Sequence, residues 1–451
     1  MPGLLLLPLQ PSMSATAVHA DPIRKYLETA RTQIAQGALR EAAQTLNQAQ
    51  RILPGDARIF MLAGLMAEKS GNIKGAFEAL RKCVAMAPDW GPGLLELALL
   101  LARQNQFPEA VETAEKVAAL EPKNLLVLAG VVDIAHRAGH AEMALKHLRR
   151  GLELVPGDAQ LRRLLAQDLH DLGRYEEALQ EWSSLVAQDD KDEHALLGRI
   201  KVLLAIGKPG QAIADTMKLL ELAPGDSIYA YYNALAHGVT PPHQPLEMNR
   251  QLFDNMADIY DQHMVRGLRY QLPKIVADKI LARYPNKQLN VLDLGCGTGL
   301  LGVCLGRLDG FLIGVDISTK MVEQAARHNV YDRFHTVNLL EALQATPDAL
   351  YETITALDVL IYTGDITEAI PNAHRILLPA GDFYFSCEAA PEEGPDLLLQ
   401  DNGRYAHKRS HVQQLCKQAG FESVQIEDVV IRQEAGQPVQ GFLVMARKAA
   451  A

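Results

Sequence analysis

Asp293-Leu294-Gly295-Cys296-Gly297-Thr298-Gly299 closes an apolar run that begins at Leu289 and leads directly into Leu300-Leu301-Gly302. A strand that ends in a glycine-rich turn and passes into a helix lets a ligand approach backbone from which any Cβ would keep it away. Seventeen residues past Gly299, at the end of the next apolar run, stands Asp316. A carboxylate there can accept both hydroxyls of a ribose, and Ile317 beside it can pack on a purine ring. The spacing predicts a nucleoside pocket. It leaves the nucleoside open, because Gly297, Gly299 and Gly302 also spell the G-x-G-x-x-G of dinucleotide-binding proteins.

Around that turn, β-rich and helical segments alternate. Strand-like runs fall at Leu289 to Leu294, Phe311 to Val315, Arg333 to Val337, Tyr351 to Ala356, Asp382 to Glu388, Val424 to Ile431 and Gly441 to Ala446. Alternation of this kind predicts an α/β domain over 248–448, with a seven-stranded, mostly parallel, Rossmann-like sheet covered by helices on both faces. Ligands in such sheets bind beyond the carboxyl ends of the strands.

The first half of the chain has a different texture. Gly37, Ala42 and Pro54 return as Gly71, Ala76 and Pro88, and the offset of 34 residues persists through Ala110 and Pro122, Gly139, Ala144 and Pro156, Gly173 and Ala178, and Gly207, Ala212 and Pro224. Asn105 replaces the turn glycine in the third unit, and Asp190 the closing proline in the fifth. Each unit reads as two short helices. The glycine reverses the chain, the alanine permits close helix approach, and the proline stops the second helix. Six units predict an all-α solenoid over 21–237, capped by a helix carrying Tyr229, Tyr231 and Tyr232, with a proline-rich linker at 238–247. Helical counting turns Asp133, His136, Arg163, Gln167, His170, His194 and Lys201 toward the inner face. That face suits a protein or peptide partner.

The repeat pattern resembles the tetratricopeptide repeat. The D-x-G-x-G-x-G string, the amphipathic segment before the first strand and the closing pair of strands resemble the class I S-adenosylmethionine-dependent methyltransferase fold. Phe253-Asp254-Asn255-Met256-Ala257-Asp258-Ile259-Tyr260-Asp261, Asp358 to Asp365 and Gly403-Arg404-Tyr405-Ala406-His407 are similar to the bacterial methyltransferase family that carries such repeats. The resemblance implies S-adenosylmethionine as methyl donor. It implies further that Asp293, Gly295, Cys296, Gly297 and Gly299 hold the methionine part, Asp316 and Ile317 the ribose and its surroundings, and Asn338 and Leu339 the adenine. Tyr260 would close over the donor. Asn338 departs from the usual Asp, while keeping a carbonyl acceptor. Methyl transfer needs alignment, plus a base only if the acceptor arrives protonated. Candidates for that base, or for orienting the acceptor, are His263, Tyr362, Asp365, Tyr405 and His407.

Composition narrows the partners. A net charge of −10 over 451 residues argues against general nucleic-acid binding, and no Asn-Pro-Pro-Tyr type string follows Ala356. Five scattered cysteines without C-x-x-C predict neither a disulfide framework nor a metal site, so a cytoplasmic protein is expected. No apolar run reaches the roughly 18 residues of a spanning helix. Residues 1–20 read as a disordered or mis-started N-terminus. Two alternatives compete with an acceptor-recruiting enzyme: a repeat scaffold that binds the donor without turnover, and a small-metabolite or lipid methyltransferase whose repeats serve assembly.

Overall fold

A computed structural model describes residues 21–434 and 436–451, so the expectation for 1–20 lies outside the described residues. The chain divides into two compact units, the first ending at Ile206 and the second running from Gly207 to Ala451.

In the first unit, helices of 12 to 14 residues follow one another from Arg24–Ala35 to Glu193–Ala205, each packed on the next. The turn glycines Gly37, Gly71, Gly139 and Gly173 take φ of +80°, +81°, +71° and +71°, and Asn105 takes the same left-handed conformation at +59°. Asn tolerates that region better than most side chains, which is why it can stand in for glycine. The alanines at 42, 76, 110, 144 and 178 are completely buried. A larger residue there would push the paired helices apart. The same period carries a signal that the sequence reading passed over. Asp56, Asn124, Asp158 and Asp192 each accept a backbone N–H from the first turn of the helix that follows. Each such cap contributes about 1 kcal/mol.

The second unit opens with helices Pro209–Leu222 and Ser227–Ala236, continues through Leu246–Met256, a π-helical turn Gln262–Gly267 and helix Leu272–Arg283, and then enters a nine-stranded sheet. Its strands are β1 (Val291–Leu294), β2 (Leu312–Asp316), β3 (Arg333–Thr336), β4 (Tyr351–Ala356), β5 (Leu377–Ala390), β6 (Leu397–Leu399), β7 (Tyr405–Lys408), β8 (Phe421–Glu434) and β9 (Gln437–Lys448). The order is β3-β2-β1-β4-β5-β7-β6, with β9 pairing antiparallel to both β5 and β8. Parallel pairs run from β3 through to β5 and β7. All seven expected strands are present. The two additional ones, β6 and β7, are too short to show a period, and they exist because β5 outruns its pairing with β4 and offers a free edge at Glu388–Ala390. Leu292, Leu294, Ile354 and Phe385 fill one face, against helix Ala369–Ile376. Val291, Leu312 and Leu443 fill the other, against Val276 and Ile280.

The proline-rich segment is built into this unit. The Tyr405 hydroxyl donates to Pro241 O at 2.8 Å, Asp365 N–H donates to Pro242 O at 2.8 Å, and the Gln244 side-chain amide donates to the Gly403 carbonyl. The division of the chain falls within the sixth repeat, ahead of the expected linker at 238–247, and Tyr231 of helix Ser227–Ala236 also bonds the Gln244 side chain. Among the described residues, no helix is long and apolar enough to cross a membrane, and the five cysteines are free.

Candidate functional site

At the carboxyl ends of β1, β2 and β4 lies a cavity of about 280 Å³. Its walls include Gly295 and Gly297 from the turn, Asp316 and Ile317 after β2, and Asn338 and Leu339 at the start of helix Leu339–Ala345. Phe253 and Tyr260 line it from the segment that precedes the sheet.

Asp316 is 9% exposed, yet its carboxylate oxygens are held by backbone N–H groups, Gly297 on one and Ser318 on the other, both at 2.8 Å, with the Ile317 N–H adding to them. The carboxylate keeps capacity for a further donor. Burial pushes the group up to about 6, against the pull of these N–H groups, and the nearby Asp254 adds to the rise. The glycines have separate reasons. A Cβ on Gly295 would stand 2.5 Å from Val359, on Gly299 3.1 Å from Ala325 and Tyr331, and on Gly302 2.3 Å from the Tyr331 ring. Gly297, at φ +53°, would meet only the Tyr260 ring at 3.8 Å. Three of the four glycines thus admit protein, and Gly297 faces the cavity.

Asp293 does not line the cavity. It accepts from the Tyr331 hydroxyl at 2.6 Å and the Thr355 hydroxyl at 2.8 Å beneath the turn, and burial pushes it up to about 6. Cys296 is buried behind the turn, where a Cβ on Gly314 would stand 2.9 Å from its Sγ. Asn338 lines the cavity, but its Oδ1 already accepts Leu340 N–H at 2.9 Å as a helix cap. It keeps one lone pair and its amide N–H groups for a ligand.

The segment over the cavity is latched by three carboxylates spaced along it. Asp254 accepts from Ser318 Oγ at 2.5 Å, Asp258 from Gln324 Nε2 at 2.8 Å, and Asp261 from Thr298 Oγ1 at 2.5 Å. Phe253 packs edge-on against Tyr362 at 5.0 Å and Tyr260 at 6.4 Å.

Of the five base candidates, Tyr362 alone lines the cavity. His263 is exposed on the π-helical turn. Asp365 caps its own turn by accepting Thr367 N–H at 2.9 Å. Tyr405 is fully buried on Pro241. His407 is buried too, with Nε2 donating to the Gly364 carbonyl at 2.7 Å, and burial holds it down at about 4. Tyr405 and His407 hold backbone.

A buried ion cluster beside the cavity escaped the sequence reading. Asp358, which lines the wall and carries a left-handed φ of +53°, accepts from Arg432 at 2.6 Å. Arg432 also pairs with Glu388 and Glu434, and Arg404 pairs with Glu434. Asp358 and Arg432 are 74 residues apart, and no spacing rule links them. Among the described residues no cluster of His, Cys, Asp or Glu could hold a metal ion.

On the repeats, several expected inner-face residues are already paired with neighbouring side chains outside the expected set. His136 pairs with Asp168 at 2.8 Å, which draws the imidazole up, and Arg163 pairs with Asp192 at 2.6 Å. Asp133 pairs with Arg137, and Gln167 donates to Asp171. His170 stands beside Asp171, and His194 and Lys201 are at the surface.

Comparison with known proteins agrees with both halves. Residues 291–381 match the methyltransferase-domain family, and 27–89, 95–159 and 163–227 match the tetratricopeptide-repeat family. The chain carries tetratricopeptide repeats and a methyltransferase domain. A ubiquinone biosynthesis O-methyltransferase of Xanthomonas oryzae pv. oryzae is 28% identical over 120 residues, 26% of this chain and 50% of that protein. Human methyltransferase-like protein 27 is 31% identical over 150 residues, 32% of this chain and 58% of that protein. The chain thus spans about half the length of the curated relatives it matches. Among solved structures, a magnesium protoporphyrin IX methyltransferase from Synechocystis PCC 6803 is 20% identical with a TM-score of 0.36, covering 45% of this chain and 99% of that one.

Proposed function

We propose that this protein is a class I S-adenosylmethionine-dependent methyltransferase whose repeats recruit or orient the acceptor. The observation that carries this reading is Asp316: a buried carboxylate at the end of β2, fixed by backbone N–H groups and walling a cavity beside Gly297. A ribose diol fits such an acceptor, and Ile317, Met321 and Leu339 supply an apolar slot for a purine. Bound there, S-adenosylmethionine supplies a methyl group already activated by its positively charged sulfur. The residues of the chain then have to bind, orient and exclude water. Phe253 and Tyr260 cover the slot, and the latches at Asp254, Asp258 and Asp261 keep them there. The named activity of the Xanthomonas relative supports oxygen as the acceptor atom.

Calorimetry of the full chain with S-adenosylmethionine and S-adenosylhomocysteine tests the donor assignment. Saturable binding of both, markedly weakened in Asp316→Asn, is expected. Binding of a nicotinamide dinucleotide and of neither sulfur nucleoside would overturn it.

A further inference from the structure

A second hollow, of about 670 Å³, opens beside the donor cavity. It is lined by Tyr231 of helix Ser227–Ala236 and by Val239, Pro241, Pro242 and Pro245 of the docked proline segment, with Arg250 at its rim. The two hollows share three residues: His243, Gln244 and Leu246. These three residues form the wall common to the two hollows.

His243 is the one titratable group at that junction, and its ring is oriented by the fold. Nδ1 lies 2.7 Å from the Thr363 carbonyl oxygen. A carbonyl can only accept, so Nδ1 carries a proton, and in the neutral ring Nε2 then presents a lone pair. The ring is exposed, and no described residue bonds Nε2. A fixed tautomer with a free basic nitrogen at the meeting of two cavities has the attributes of a general base.

We propose that His243 Nε2 takes the proton from the hydroxyl of a phenol-type acceptor seated in the outer hollow. This deepens the methyltransferase reading and rests on it. The lining of prolines, Val239 and Tyr231 suits a flat apolar body. The carboxylates nearest it are already engaged and leave no free negative charge for an ammonium group: Glu247 is paired with Arg250 at 2.8 Å and Asp358 with Arg432, while Asp316 faces the ribose position. Imidazole is strong enough to take a phenolic proton as the new bond forms, whereas an aliphatic hydroxyl is a far weaker acid. In the balanced step the O–H proton moves to Nε2, the oxygen pair forms the O–CH3 bond, and the C–S pair stays on sulfur, giving methyl ether, S-adenosylhomocysteine and an imidazolium that returns its proton to water.

The test uses the full chain, methyl-tritiated S-adenosylmethionine, and two acceptor panels: phenols (catechol, 4-hydroxybenzoate, 2-naphthol) and amines (benzylamine, phenethylamine). His243→Asn retains a donor for the Thr363 carbonyl and lacks Nε2. Wild type should label at least one phenol. His243→Asn should lose about 100-fold or more in kcat on it, with unchanged melting temperature and donor Kd. Independently of turnover, long-range 15N–1H spectra of histidine-labelled protein should show the Nδ1–H tautomer for the ring that vanishes in His243→Asn. The proposal is overturned if only amines or no acceptor are labelled, if the variant keeps the wild-type rate, or if the ring is the Nε2–H tautomer. Absence of donor binding in wild type would instead remove the methyltransferase reading itself.

Discussion

The Tyr405 hydroxyl, at the start of β7 between β5 and β6, holds the carbonyl of Pro241, 164 residues earlier in the chain. The proline segment is thereby part of the wall of the methyltransferase unit. Cutting the chain after it should therefore matter. A fragment beginning at residue 247 loses the bonds made by Pro241, Pro242, His243 and Gln244. At about 1 kcal/mol each, the loss is about 4 kcal/mol. A fragment of residues 207–451 should melt cooperatively and bind the donor, whereas 247–451 should melt several degrees lower and bind it weakly. Equal melting temperatures for the two would contradict the docking of this segment.

Asp316 links donor binding to pH. Its folded value, about 6, lies above the ordinary 3.8, because burial disfavours the carboxylate. The fold thus favours the protonated form: that contribution to stability is fully present below about 3.8 and is lost as pH rises through 6. Ribose hydroxyls need the opposite, ionised form. Donor affinity should fall about tenfold per unit below pH 6, measured by calorimetry between pH 7.5 and 5. Asp316→Asn should bind weakly at every pH, by about 1.5 to 3 kcal/mol, and without that slope. A wild-type affinity flat down to pH 5 would remove Asp316 from the donor contacts.

The glycines of the turn should separate by what they lose. Gly297→Ala meets no protein atom closer than 3.8 Å, so it should cost about 1 to 2 kcal/mol of stability from its positive φ while intruding on the donor cavity. Gly302→Ala drives a methyl group into the Tyr331 ring, whose hydroxyl supports Asp293. That should cost about 1 to 3 kcal/mol of stability. Melting curves paired with donor titrations distinguish the two, and the reverse pattern would mean that the turn's open face is at Gly302.

His407 should make the unit acid-sensitive. Its folded value is depressed to about 4 by burial, with Nδ1 lacking a hydrogen-bond partner. A buried neutral ring contributes stability that is present above its ordinary value near 6.5 and lost as pH falls from there toward 4. The full effect is about 3 kcal/mol. Melting of wild type against His407→Gln, followed from pH 7 to pH 4, should show the two curves converging. Parallel curves would mean that the ring is not held neutral.

Local chemistry made much of this legible in advance. The period of 34 residues placed the turn glycines, and Asn105 was recognisable as their substitute because one backbone conformation recurs at one interval. Asp316 followed from a turn and a strand end. Features that escaped depend on distant pairings: β7 exists through the edge of β5, Arg432 through Asp358 and Glu388, and Tyr405 and His407 serve backbone at Pro241 and Gly364. A histidine in a proline-rich segment carries no periodic signal. His243 gained meaning only when Thr363 fixed its ring between two cavities.

The repeats pose the last question, which is whether they serve the acceptor. Arg163 is a poor probe, since it pairs with Asp192, and Asp192 also caps helix Glu193–Ala205 by accepting Ala195 N–H. Arg163→Glu should cost about 1 kcal/mol or more through that cap, confounding any effect on recruitment. His194→Glu, at an exposed position that caps nothing, should leave stability within about 0.5 kcal/mol. A cleaner comparison sets the full chain against residues 207–451. If the repeats hold the acceptor, their removal should leave donor Kd unchanged and raise KM for the physiological acceptor at least tenfold, with little change in kcat, because the lost term is effective concentration. His194→Glu should shift KM in the same direction by a smaller factor. Should both proteins methylate that acceptor with equal KM, the repeats serve a partner other than the substrate, and the small-metabolite reading becomes the better account of the enzyme.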